Sequence, residues 1–331
     1  MPANLTPQYK EAEDRFRDAE TTAEKLAALE EMMAVIPKHK GTEKIRADIK
    51  RKISKLKEPE EGKIGQSARS AMFNVEKEGA GQIALVGPPN SGKSKLLSML
   101  TNAQPDIGDY PYTTQKPLPG MMEYEDILIQ IVDIPPISQE FTEPWVVAVA
   151  RNADAVLFVV DASDGSVLDE IENTLVILEK FKVSLFGWDR SVPLDSTGVM
   201  EAKKTILVAN KIDGPDAADN LEFVKELFGE RFPIIPVSSD TGQGLEDLKQ
   251  DIFRMLNIVR VYTKIPGKHA DMGHPFTLAR GSTVQELASV VHKDFAQKLK
   301  FAKIWGEGKF DGQMVSRDHV LEDRDVIELH V

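Results

Sequence analysis

The chain has 331 residues and a formal net charge of −12, with no cysteine among them. That length suits two or three domains; the charge excludes indiscriminate nucleic-acid binding by the whole molecule, and the missing thiols exclude disulfides and cysteine-held metals. Met1–Glu31 is polar with no apolar signal core, and runs such as Ala153–Val160 are too short to span a bilayer, so the expected location is cytoplasmic and no membrane partner is expected.

In chain order, the first expected unit is a helical hairpin over 1–62. Leu26, Leu29, Met33 and Ile36 recur at helical spacing, as do Ile45, Ile49, Ile53 and Leu56, with Pro37–Thr42 between them. The stretch Glu11–Glu31 is acidic, whereas Lys38–Lys57 holds nine Lys or Arg residues against Glu43 and Asp48. Two readings stand side by side: the helices neutralise each other, or the basic helix 38–57 faces RNA phosphates. Glu58-Pro59-Glu60-Glu61-Gly62-Lys63 reads as a hinge into the next unit, expected over 63–259.

That unit opens with Ile83-Ala84-Leu85-Val86, a short buried strand, then Gly87-Pro88-Pro89-Asn90-Ser91-Gly92-Lys93-Ser94, then a helix beginning near Lys95. This is the G-x-x-x-x-G-K-[ST] phosphate loop in its strand–loop–helix context. Its amides and helix N-terminus face phosphates, Lys93 reaches the β- and γ-phosphates, and the Ser94 hydroxyl ligates Mg²⁺. Further on, Ile131-Val132-Asp133 and Val159-Val160-Asp161 are apolar strands ending in aspartate; Asp133 is the better second partner of Mg²⁺. Thr205–Ala209 is another buried strand, ending in Asn210-Lys211-Ile212-Asp213. The Asp213 carboxylate accepts from the ring N–H and amine of guanine, and adenine offers no matching donors. The Lys211 stem lies over the base, and Asn210 ties this loop to the phosphate loop. Ser238 and Ser239, with the glycine-rich turn 240–244 behind them, form a last base-contact loop, and a helix follows over Leu245–Leu256.

Between the first two motifs stands Asp109-Tyr110-Pro111-Tyr112-Thr113-Thr114. With the motif order it resembles the Obg/DRG branch of GTPases, and Val261–Lys264, Ala302–Gly306 and Asp318–Ile327 are similar to the TGS domain of DRG proteins. The resemblance covers about residue 65 to the C-terminus. It implies a doubly wound α/β P-loop domain and a β-grasp TGS domain over 260–331, with GTP or GDP and Mg²⁺ as ligands. It makes Thr114, or its neighbour Thr113, the threonine that binds Mg²⁺ and senses the γ-phosphate, so that Lys93, Ser94 and Thr114 carry catalysis. The family's D-x-x-G glycine is replaced by Pro136, which has no N–H to donate. Ile137 stands where Ras-type enzymes place a water-orienting glutamine, which implies slow unaided hydrolysis. Asn90 matches the residue that helps hold K⁺ in potassium-activated GTPases. The family's long insertion has little room in 161–205.

The C-terminal unit reads as strands at Arg260–Thr263, Pro275–Leu278 and Val326–Val331, with a helix over Val284–Phe295 capped by Ser282 or Thr283. Its histidines lack metal-ligand spacing, and Trp305 is expected in the core. The function expected is slow GTP hydrolysis by a switch associated with the ribosome or a structured RNA through helix 38–57 and the TGS domain, and open to a protein activator. The alternative is a non-hydrolysing GTP- or GDP-bound scaffold. An ATP-dependent P-loop enzyme is disfavoured by Asp213.

Overall fold

The computed structural model describes residues 15–16, 28–29, 31–33, 35, 73, 75–101, 103, 116–139, 142–191 and 200–331. The chain divides into two compact units, Met1–Met72 and Phe73–Val331. In the first, the described residues are helical, with Ala28, Leu29 and Met32 buried. The expected basic helix 38–57, the hinge and the 109–114 string, with Thr113 and Thr114, lie outside the described residues.

Among its described residues the second unit carries two sheets. The larger has seven strands: β1 (Gln82–Val86), β2 (Leu118–Tyr124), β3 (Ile127–Asp133), β4 (Ala155–Asp161), β5 (Val183–Gly187), β6 (Glu201–Asn210) and β7 (Ile234–Pro236). Their order is β2-β3-β1-β4-β6-β5, with β7 also on β6; only the β2–β3 pairing is antiparallel. Alternate residues face opposite layers. Ala84, Val86, Phe158 and Val160 join one core with α2 (Pro144–Asn152), α3 (Val167–Lys180) and α4 (Ala217–Phe228). Ile83, Leu85, Leu157 and Val159 join the other with α1 (Lys93–Leu100) and α5 (Leu245–Leu256). Because helices cover both faces, the central strands are continuously apolar, which is why they were readable as short buried runs. β1 lies between β3 and β4, and the crevice beyond its carboxyl end is where such sheets place ligands.

The smaller sheet has five strands, β8 (Ile258–Thr263), β9 (Phe276–Ala279), β10 (Phe301–Trp305), β11 (Gln313–Val315) and β12 (Asp325–His330), in the order β11-β10-β12-β8-β9. β12 runs parallel to β8 and the other pairs are antiparallel.

Two expectations are corrected here. The helix expected over Val284–Phe295 is two helices, α6 (Val284–Val291) and α7 (Lys293–Lys298). His292 separates them in an extended conformation, and its Nδ1 accepts from the Asp294 N–H at 3.1 Å, capping α7. Thr283 caps α6 in a reciprocal box with Glu286. Trp305 is not core: Ala302 and Ile304 take the inward positions of β10, and the Trp305 ring lies on the opposite face, half-buried beneath the Lys264 ammonium at 4.1 Å.

Candidate functional site

The phosphate loop leaves β1 through Gly87 and enters α1 through Gly92, at φ 158° and 87°. A Cβ on Gly87 would stand 2.1 Å from the Val159 carbonyl oxygen, and one on Gly92 would stand 2.3 Å from Asn210 Nδ2. Both positions therefore exclude side chains, and the backbone can close around an anion. Asn90, at φ 60°, is exposed at the loop tip, and Pro88, Ser91 and Lys93 are buried with Pro89 half-buried.

Lys93 folds back over its own loop. Nζ donates to the carbonyls of Pro88 at 2.7 Å and Gly87 at 3.1 Å. Burial pushes this ammonium down to about 8, partly countered by the Asp133 and Glu170 carboxylates. Next to it the Ser94 hydroxyl donates to Asp133 Oδ2 at 2.5 Å. A hydroxyl and a carboxylate converging beside a phosphate loop are the hard-oxygen donors Mg²⁺ takes, so the residues fit that ion. Among the described residues no group of three or more His, Asp or Glu forms a separate metal site.

Asn210 is fully buried and joins three loops. Its Nδ2 donates to the Ser91 carbonyl at 2.9 Å, and its Oδ1 accepts from the Ser239 N–H at 3.1 Å and hydroxyl at 2.8 Å. Ser238 accepts from the Thr241 N–H at 3.0 Å, closing the turn behind it. Asp213 is exposed on the same loop as Asn210. Lys95 reaches across to Asp240 at 3.6 Å. The two strand-end aspartates separate by geometry. Asp133 meets Ser94, whereas Asp161 binds the Lys211 ammonium at 2.6 Å and accepts from Ser163. That pairing fixes the Lys211 stem, which passes 3.8 Å from the Cβ position of Gly92. The sequence marked Asp161 as a strand end but gave no sign of its partner.

After Asp133 the chain does not swing out over the loop. Ile134, Pro136 and Ile137 are buried, Ile137 is 1% exposed, and its N–H donates to the Gly87 carbonyl at 3.0 Å. The residue at the glutamine position thus packs into the core with Val86, Val132 and Val146. Gln139, two residues on, bonds Asn173 of α3 at 3.2 Å.

Comparison with known proteins agrees with this geometry. A model described as "50S ribosome-binding GTPase" matches residues 82–188, and a TGS domain model matches residues 259–331. The chain is 31% identical to an uncharacterized GTP-binding protein of Methanocaldococcus jannaschii, over 92% of each. It is 30% identical to Developmentally-regulated G-protein 2 of Arabidopsis thaliana, over 92% of this chain and 90% of that protein. The archaeal alignment runs to 363 positions, more than this chain contains, so that relative carries insertions absent here. Among solved structures, a GTP binding protein from Pyrococcus horikoshii OT3 shares the fold with a TM-score of 0.50 at 16% identity, over 75% of this chain and 99% of that one.

Proposed function

The chain belongs to the DRG family of Obg-type GTP-binding GTPases, and we propose that it is a guanine-nucleotide switch, slow when alone, that signals its state to a ribosome or another structured RNA. In this reading Asp213 selects guanine and Lys211 covers the base. Asn210 holds that loop and the Ser238–Ser239 turn against the phosphate loop. The loop from Gly87 to Lys95 wraps the phosphates, with Lys93 turning from its own carbonyls to the β- and γ-oxygens. Ser94, Asp133 and Thr114 would hold Mg²⁺, which neutralises charge on the transferring phosphoryl group. Segment 38–57 and the TGS domain would meet RNA, and the location proposed is the cytoplasm. In this reading the parts 1–62, 63–259 and 260–331 would have separate tasks.

One observation carries the slow rate: Ile137 is buried and bonded through its amide to Gly87. A side chain enclosed in that core orients no water, and Pro136 gives no amide to the γ-phosphate. The charge that builds in the transition state then needs a source beyond the described side chains. Exposed Asn90, beside the phosphates, suits a monovalent cation. The test is GTP hydrolysis in potassium and in sodium at equal ionic strength. Hydrolysis should be faster in potassium, and Asn90→Ala should erase the difference. Equal rates in both salts would exclude the cation.

A further inference from the structure

Beyond the nucleotide site, the densest charge cluster among the described residues lies at the far end of the β2–β3 hairpin. The hairpin is an unbroken antiparallel ladder from Leu118↔Asp133 to Tyr124↔Ile127. Its near end therefore holds the site aspartate, and β2 begins four residues after Thr114. Its far end is the turn Glu125–Asp126, about 20 Å away for strands of this length. The 109–114 string and the segment after Asp133, the two parts expected to respond to nucleotide, are thus joined along the chain to one hairpin.

That turn is gripped by the C-terminal module. Arg260 of β8 is 3% exposed. Its Nη1 donates to Asp126 Oδ1 at 2.8 Å and to Glu125, while Nη2 and Nε donate to the two oxygens of Asp323 at 2.6 and 3.1 Å. The Tyr262 hydroxyl donates to Asp126, and Arg324 Nη2 donates to Glu125 at 2.7 Å. The guanidinium also lies 4.9 Å over the Phe253 ring, which stacks on Tyr124 at 5.1 Å. Arg260 is a planar fork with one side committed to its own module and the other to the hairpin. Arg260 is buried while its acids are partly exposed, so a shift of the tip would leave the hairpin-facing side of a desolvated guanidinium unpaired.

We propose that this cluster is a latch between the C-terminal module and the hairpin, so that latch and nucleotide state set each other's equilibrium. A displacement of the switch end is carried along the ladder to a tip that the C-terminal module holds. Whatever free energy distinguishes GTP from GDP at the site then appears also as a difference in latch stability, and the effect is reciprocal. The C-terminal module acts as a built-in partner of the hairpin, and an RNA or protein that moves it would alter nucleotide preference.

The proposal rests on the switch reading, and it is tested by binding alone, so absent hydrolysis would not mask it. Affinities for GDP and a non-hydrolysable GTP analogue are measured on the full chain for the wild type, Tyr262→Phe, Arg324→Ala and their double variant. Each substitution removes one contact to the hairpin turn and leaves Arg260 in place. Lys309→Ala serves as the control, because Lys309 bonds Glu322 and Asp325 inside the C-terminal module and does not touch the hairpin. The expected result is that the GTP-to-GDP affinity ratio moves in one direction in both single variants and by about fivefold or more in the double variant, the lower end of the usual range of coupling between sites. The control should keep the wild-type ratio. An unchanged ratio in the double variant would overturn the proposal, and so would an equal shift in the control, since either reduces the cluster to structural support.

Discussion

Lys93 holds a charge in a place that disfavours it. Burial lowers its pKa from 10.5 to about 8, with partial restoration by Asp133 and then Glu170. A lysine with a lowered folded pKa opposes folding while it is charged. The cost is complete below about pH 8 and fades as the unfolded chain also loses its proton near 10.5. Lys93→Met should therefore stabilise the nucleotide-free protein at neutral pH by roughly 1–3 kcal/mol, with the gain shrinking at high pH, while nucleotide affinity collapses. Thermal melts across pH check this; a destabilised variant would contradict it. For the base, Asp213→Asn replaces the acceptor with a group suited to a carbonyl. It should abolish tight GDP binding and admit xanthosine diphosphate, read by calorimetry. Wild-type GDP affinity in that variant would remove Asp213 from base recognition. At this scale the loop residues were legible because each motif is local: Gly87, Lys93, Ser94 and Asn210 sit within a few residues of their strand. The pairing of Asp161 with Lys211 joins residues fifty apart in the chain, and nothing in either segment announces it.

The elements were legible wherever periodicity and caps agreed. The helix over Leu245–Leu256 has the bounds that its pattern gives. The break at His292 has no mark in the sequence, because an imidazole can cap a helix or continue one, and here its Nδ1 accepts from the Asp294 N–H. The contact between the hairpin turn and the C-terminal module was also beyond the sequence, since Arg260 finds Asp126 at a separation of 134 residues. Its acids have a pH signature. Burial works to raise the Asp126 and Asp323 carboxyls, but hydrogen bonds and charge from Arg260, with the Tyr262 hydroxyl on Asp126, outweigh it and leave both below the usual range. Arg260 and then Arg324 hold Glu125 down as well. Carboxylates depressed in the fold stabilise it above their unfolded pKa values, and that support is lost as pH falls through the folded ones. The melting temperature should drop as pH is lowered from about 5 to about 3, and Asp323→Asn should flatten that drop. An unaltered slope would mean that these acids contribute nothing to acid sensitivity.

At the scale of the molecule, a three-layered nucleotide domain, with helices on both faces of its sheet, meets a small mixed sheet at the turn of the β2–β3 hairpin. The order of apolar runs and phosphate-loop motifs made the first visible in the sequence, and the TGS-like segments made the second visible. How the two modules touch was not visible, because interface charges such as Arg260 and Asp323 read in sequence as ordinary surface residues. A protein that encloses Ile137 in its core, and whose Pro136 has no amide N–H for the γ-phosphate, is expected to hydrolyse GTP slowly until something outside the chain supplies charge or order. The direct measurement is single-turnover phosphate release from GTP by the purified chain, with and without ribosomes. The expected rate is on the order of 10⁻³ per second or below for the chain alone, with a clear rise with ribosomes that high salt removes. Turnover at about 1 per second or faster by the chain alone, or a rate that ribosomes leave unchanged, would contradict it.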